Sequence, residues 1–174
     1  MTTPVVSVTS LELSVSPPPA WFLPLLDYWQ AKRPAGGLPA RADLDPIDLK
    51  PLLGWVSLVD VRQSGPRFSL RLLGSGHPPR PHGPRHGQDI STMQPEAYRD
   101  AVTAQYELAV DRRAPTLHEN LLSFGTHRFR YQRIALPLAR DHATPDMLVV
   151  ASLLDPVEHN RFFTAFGRAA AGLA

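Results

Sequence analysis

Three histidines, His77, His82 and His86, fall within "LLGSGHPPRPHGPRHGQDIS", Leu72 to Ser91, together with four prolines and four glycines. Imidazoles spaced five and four apart would present metal ligands in a regular way only on a helix, and this proline content forbids one. The stretch is expected to be an irregular loop, with any bound nickel or zinc adventitious. Arginines on strands are the second chemically useful set. Arg71, Arg130 and Arg133 lie in alternating segments, and an inward-facing one could take a carboxylate through two parallel hydrogen bonds. The ordinary alternative is ion pairing on the outer face. If the turn Ser64-Gly65-Pro66 sets residue 62 opposite 67, Asp60 and Arg71 lie diagonally on one face, close enough to interact. Tyr131 shares the face of Phe129 and Arg133, as core or as ligand contact. Arg71, Tyr131 and Arg133 are therefore the candidate ligand-binding residues.

Other chemistries find little support. The absence of cysteine removes disulfides, thiolate zinc sites, iron–sulfur clusters and a thiol nucleophile together. No Gly-x-Ser-x-Gly elbow is present. "GSGHPP" precedes prolines, not a helix whose N-terminus could hold phosphate. Asp43, Asp45 and Asp48 surround an expected helix start, where capping and dipole compensation account for them. No catalytic residue and no metal ligand is nominated, and the chain is expected not to be an enzyme.

Formal net charge is +2 and the pI about 9.3, with Lys32 and Lys50 the only lysines. Basic runs stop at two residues, so nucleic-acid binding is not expected. A hydrophobic fraction of 43% over 174 residues suits one domain with a real core. The N-terminus lacks the pattern of a signal peptide, and no window approaches the roughly 18 apolar residues of a membrane span. A soluble, cytoplasmic protein is expected.

The elements that must position these groups follow from periodicity. Residues 1–19 are expected to be a flexible leader, although "VVSVTSLELSV" alternates weakly enough to add a strand. "AWFLPLLDYWQAKR" places Trp21 or Phe22 with Leu25, Leu26 and Trp29 on one helical face. Asp45-Pro46 and Gly54 bound a short, irregular helix. "WVSLVDVRQ" and "RFSLRLLG" form a hairpin. "QPEAYRDAVTAQYELAVDRR" is the clearest helix, with Tyr98, Val102, Gln105, Tyr106 and Ala109 in one stripe. "TLHENLLSF", "HRFRYQRIALPLA" and "DMLVVASLLD" are strands joined by short turns. Residues 156–174 form an amphipathic helix with Phe162, Phe166, Ala169 and Leu173 in line. Antiparallel strands with helices set apart make the fold α+β.

Two strands, a helical crossover and three strands is the order of a PAS domain, and two blocks carry the resemblance further. They are "LPARADLDPIDLKPLLGWVSLVDV" with "RFSLRLLGSG", and "RYQRIALPLARD" with "DMLVVASLL". They resemble the bacterial single-domain PAS family known as PAS_5, with Arg41 and Asp45-Pro46, Arg71 and Gly74-Ser75, and Leu136-Pro137-Leu138 matching its recurrent motifs. One departure is "GPRHG", Gly83 to Gly87, where the family tends to carry an acidic residue and a threonine. The resemblance implies a five-stranded antiparallel sheet over residues 20–155, with N-terminal and C-terminal helical additions. It also implies a non-enzymatic regulatory module working through an unidentified partner protein, gated by a small ligand. Too few residues lie outside 20–155 for a kinase, cyclase or helix-turn-helix output domain. The alternative it implies is a sensor whose bound metabolite or haem is the point of the protein. Flavin photochemistry through a cysteine is excluded. Haem ligation would fall to His77, His82, His86 or His118, but a solvated or hydrogen-bonded histidine is the better reading of each, so the cofactor stays unknown. Aromatic stripes on the terminal helices would suit a homodimer, or would simply cap the sheet.

Overall fold

Alternation in the apolar segments is converted into one sheet. The computed structural model describes residues 5–78 and 83–173. Its strands are β1 (Ser7–Leu13), β2 (Val56–Val61), β3 (Phe68–Leu72), β4 (Thr116–Phe124), β5 (His127–Leu138) and β6 (Met147–Leu154). They pair antiparallel in the spatial order β1-β4-β5-β6-β2-β3. The helices are α1 (Leu23–Ala31), α2 (Glu96–Arg112) and α3 (Pro156–Ala170).

The fold is α+β and PAS-like, with six strands in place of the expected five. The addition is β1, from the segment expected to be a flexible leader. Its weak alternation suffices because β4 offers an open edge: Ser7 to Leu13 pair with Ser123 to Leu117 in unbroken register.

The sheet separates two apolar clusters. On the inner face, α2 and α3 pack Val102, Ala109, Phe162 and Phe166 against Val59, Phe68, Leu122 and Phe129. On the outer face, α1 and the preceding turn pack Phe22, Leu25, Leu26 and Trp29 with Leu117, Ile134, Leu136 and Leu138. The Trp29 indole Nε1 donates to the Pro137 carbonyl at 2.9 Å, giving its buried N–H a partner. Pro137 is tolerated in a long central strand because β4 starts opposite Ala135, so β5 has no β4 partner beyond that point. The terminal helices thus cover opposite faces and spend their aromatic stripes within the monomer.

Local signals set the element ends. Pro24 falls in the first turn of α1, where its missing N–H costs nothing. Asp155 caps α3, its Oδ1 accepting from Val157 N at 2.7 Å and Glu158 N at 3.1 Å. Arg113 stops α2 with φ 52°. Residues 45–54 depart from expectation: they form successive turns and no helix. Asp45 does accept from Ile47 N at 2.8 Å. Asp48, Leu49 and Lys50 then bond back three residues, and Pro51 has no N–H with which to continue.

The chain leaves β3 by an irregular crossing, as expected. Gly74 starts it because no side chain fits there: an added Cβ would lie 2.4 Å from the Gly54 carbonyl oxygen. Gly76 N then donates to that oxygen at 2.7 Å. The returning arm pairs with the free edge of β3, with Gly87 N to Leu70 O at 2.6 Å and Leu70 N to Gln88 O at 2.8 Å. His82 lies outside the described residues.

Candidate ligand-binding site

The inner face carries polar side chains at positions where a sheet core calls for aliphatic ones. Register aligns Glu12, His118, Arg133 and Ser152 in one row across β1, β4, β5 and β6. The neighbouring row holds Ser10, Asn120 and Tyr131. Above them α2 lays down Tyr98, Gln105 and Tyr106, whose spacings of seven and one keep all three on its buried stripe.

Arg133 is the centre of this cluster and only 3% exposed. Its Nη2 donates to the Tyr98 hydroxyl at 3.0 Å. Longer bonds run from Nε to Ser152 Oγ at 3.4 Å and from Nη1 to Gln105 Oε1 at 3.5 Å. The guanidinium carbon lies 5.0 Å from the Tyr131 ring centroid and 5.8 Å from those of Tyr98 and Tyr106. Withdrawing a cation from water costs several kcal/mol, and each desolvated aromatic face returns up to about 2 kcal/mol. The rings and long hydrogen bonds hold the charge without neutralising it.

No carboxylate does so either. Arg133 takes part in none of the ion pairs among the described residues. Burial pushes the Tyr131 hydroxyl well above the ordinary tyrosine range, the Arg133 charge only partly opposing it, so it is a neutral phenol at pH 7. Burial alone would lower the Arg133 pKa. The phenols of Tyr131, Tyr98 and Tyr106 would ionise before an arginine deprotonates, and they hold it above its usual value instead. At neutral pH Arg133 is a buried positive charge whose own contacts, Tyr98, Gln105, Tyr106, Tyr131 and Ser152, are all neutral.

Hydrogen-bonding capacity is also left over. Gln105 Nε2 donates to Asn120 Oδ1 at 2.5 Å and to Ser10 Oγ at 2.9 Å. Yet Thr116 Oγ1, His118 Nδ1 and Asn120 Nδ2, on successive inward positions of β4, are buried with no hydrogen-bond partner among the described residues. Desolvation lowers the His118 pKa, the charges of Arg133 and Arg112 add to that, and Glu12 works against it. His118 is therefore a neutral imidazole beside the cation.

A cavity of about 20 Å³ abuts Arg133 and Ser152. Its opposite wall comes from the crossing, with Leu73, His77 and Pro84. The volume is that of about one water molecule.

Two of the three candidate ligand residues meet here and one does not. Tyr131 and Arg133 adjoin. Arg71 sits on the outer face with its side chain 54% exposed, and its Nε donates to Asp60 Oδ1 at 2.7 Å. Alternation along β3 puts it there: Phe68 and Leu70 point into the inner cluster, so Arg71 takes the opposite face, diagonal to Asp60. Arg130 likewise faces outward and pairs with Glu119 at 2.8 Å. Of the histidines, His77 is buried with Nε2 3.1 Å from the Trp55 carbonyl, His118 is on the inner face, and His86 is exposed. Among the described residues no three His, Asp or Glu side chains are grouped to hold a metal ion. Sequence reasoning had Tyr98, Gln105 and Tyr106 in one stripe without assigning them to the site, and it missed Asn120 and Ser152. The usable signal was hydrophilic side chains on the inward phase of otherwise apolar strands.

A family model described as a PAS domain, PAS_5, matches residues 22–150. The chain belongs to this PAS family. PAS domains are generally sensory and regulatory modules, and this chain is of that class. No curated protein and no solved structure matches it. Among the described residues no helix is long and apolar enough to cross a membrane.

Proposed function

We propose that this chain is a non-enzymatic regulatory module that acts by contacting a partner protein and is gated by a small organic anion held at Arg133. The observation that carries the ligand is the uncompensated guanidinium: a desolvated cation with five donors, three of them placed and two of those at long distance. A carboxylate would supply both the missing charge and the bidentate geometry that arginine favours. Tyr131 would contact it across the ring face, while Arg71, tied to Asp60, takes no part.

The size of the cavity restricts the ligand class. Pockets for larger ligands run to about 300–1,000 Å³. A cavity of about 20 Å³ suits only a compact acid that displaces water and pushes back the crossing. Haem has no space there. Because Leu73, His77 and Pro84 form the mobile side of the cavity wall in this reading, occupancy is coupled to the crossing, and through it to the surface. A ligand shifts such an equilibrium only by its differential contacts with the two states.

Thermal denaturation with acetate, lactate and succinate tests this. A ligand at 100 times its Kd adds about 2.7 kcal/mol of stability. At least one acid should raise the melting temperature of the wild type and leave Arg133→Met unmoved. Equal shifts in both proteins, or none in either, would sink the proposal.

A further inference from the structure

A groove of about 650 Å³ runs between the tip of the β4–β5 hairpin and α3. We infer that this groove docks an acidic amphipathic helix of the partner protein. The inference rests on the reading that the module acts through protein contact, and not on the ligand at Arg133.

The walls define the occupant. On one side α3 presents Arg161, Thr164, Ala165 and Arg168, which fall on one helical face at i, i+3, i+4 and i+7. On the other side Phe124 and His127 stack with centroids 6.3 Å apart and ring planes at 13°. Thr164 and Ala165 make a low floor, so an incoming backbone can come close while the aromatic wall receives apolar side chains. Among the described residues neither Asp nor Glu lines the groove.

Charge complementarity selects an acidic partner. Elsewhere on the surface Arg67, Arg71, Arg99, Arg112 and Arg130 each have a carboxylate. At the groove, Arg161 takes part in no ion pair among the described residues. Arg128, beside His127, spends Nη1 on the carbonyls of Gly125 and His127 at 2.8 and 2.9 Å. Arg161 and Arg168 are separated by about 10 Å along the helix axis. Carboxylates seven residues apart on a facing helix would match that spacing. A helix laid in a groove reads its partner through such i, i+4, i+7 anchors. Two arginines flanking an apolar trench fit this better than a membrane or nucleic acid, which would call for cations spread over a face.

The far side of α3 connects the groove to the inner face. Phe163 lies 5.8 Å from the Tyr98 ring, and Tyr98 accepts the shortest hydrogen bond from Arg133. A change at Arg133 therefore has a packed route to the helix that carries the groove.

The experiment is selection of a displayed library of random peptides about 16 residues long, a little over four helical turns. Selection uses the full chain, with counter-selection on the double variant Arg161→Glu/Arg168→Glu. Enriched peptides should alternate Asp or Glu with Leu or Phe at helical spacing. They should bind the double variant at least about tenfold more weakly, with affinity falling as salt is raised. Ala165→Trp, which fills the floor without touching the charges, should block them too, with circular dichroism showing both variants folded. Arg133→Met should still bind, so loss of the ligand reading leaves this one standing. No enrichment, or peptides indifferent to these variants, overturns the inference. So does a wild type that ignores peptides but binds anionic vesicles or duplex DNA through the same arginines.

Discussion

On the outer face of the sheet, α1 sets Phe22, Leu25, Leu26 and Trp29 against Ile134, Leu136 and Leu138, and the Trp29 N–H satisfies itself on Pro137. On the inner face the same strand β5 turns Tyr131 and Arg133 toward Tyr98, Gln105 and Tyr106. One strand serves both faces, so the difference is one of residue choice alone. The outer face fills its space with apolar groups, and among the described residues the one polar group of Trp29 there is paired. The inner face instead retains a buried charge, three buried polar atoms without partners and a cavity. Such an arrangement gives up stability for a site that a ligand can complete.

The contrast can be broken most severely on the outer side. Trp29→Ala should cost about 3–5 kcal/mol in denaturant unfolding, since it opens a cavity and orphans the Pro137 carbonyl. Next is Gly74→Ala at the start of the crossing, where the new Cβ would meet the Gly54 carbonyl at 2.4 Å. Overpacking against backbone should cost about 1–3 kcal/mol and should also weaken any response to small acids. Arg133→Met should change stability without ligand by no more than about 1–2 kcal/mol, because it removes an unneutralised buried cation along with its contacts. A loss as large as that of Trp29→Ala would instead make Arg133 a structural residue.

Acid should act through His118. Its folded pKa is lowered, so the unfolded chain takes up the proton first. The stability it confers is present above the unfolded histidine value of about 6.5 and is lost as the pH falls toward the lower folded pKa. Urea midpoints measured downward from pH 7.5 should therefore drop more steeply for the wild type than for His118→Gln. The smallest effect belongs to the outward pair. Arg71→Ala should cost under about 1 kcal/mol and leave ligand responses unchanged, since Asp60 and Arg71 are a surface salt bridge.

Much of the fold could be read from periodicity. Strands β2 to β6 and helices α1, α2 and α3 lie where alternation and helical stripes place them, and the turn at 64–66 sets Arg62 N on Arg67 O at 2.8 Å, as the hairpin requires. What failed depended on partners distant in sequence. Weak alternation in β1 becomes a strand only because β4 leaves an edge open. The site was half readable: period two put Tyr131 and Arg133 together and set Arg71 opposite Phe68 and Leu70, beside Asp60, but no local pattern says which strand arginine ends up buried without a carboxylate. Burial of the terminal aromatics was similarly invisible, because a stripe has the same spacing whether it meets the sheet or another molecule.

Native mass spectrometry of freshly purified, untagged protein, set against its denatured mass, tests the central claim most directly. The wild type should carry a small non-covalent anionic adduct that is missing from Arg133→Met. Bare wild-type protein that also gains no mass when acetate, lactate or succinate is added would contradict it.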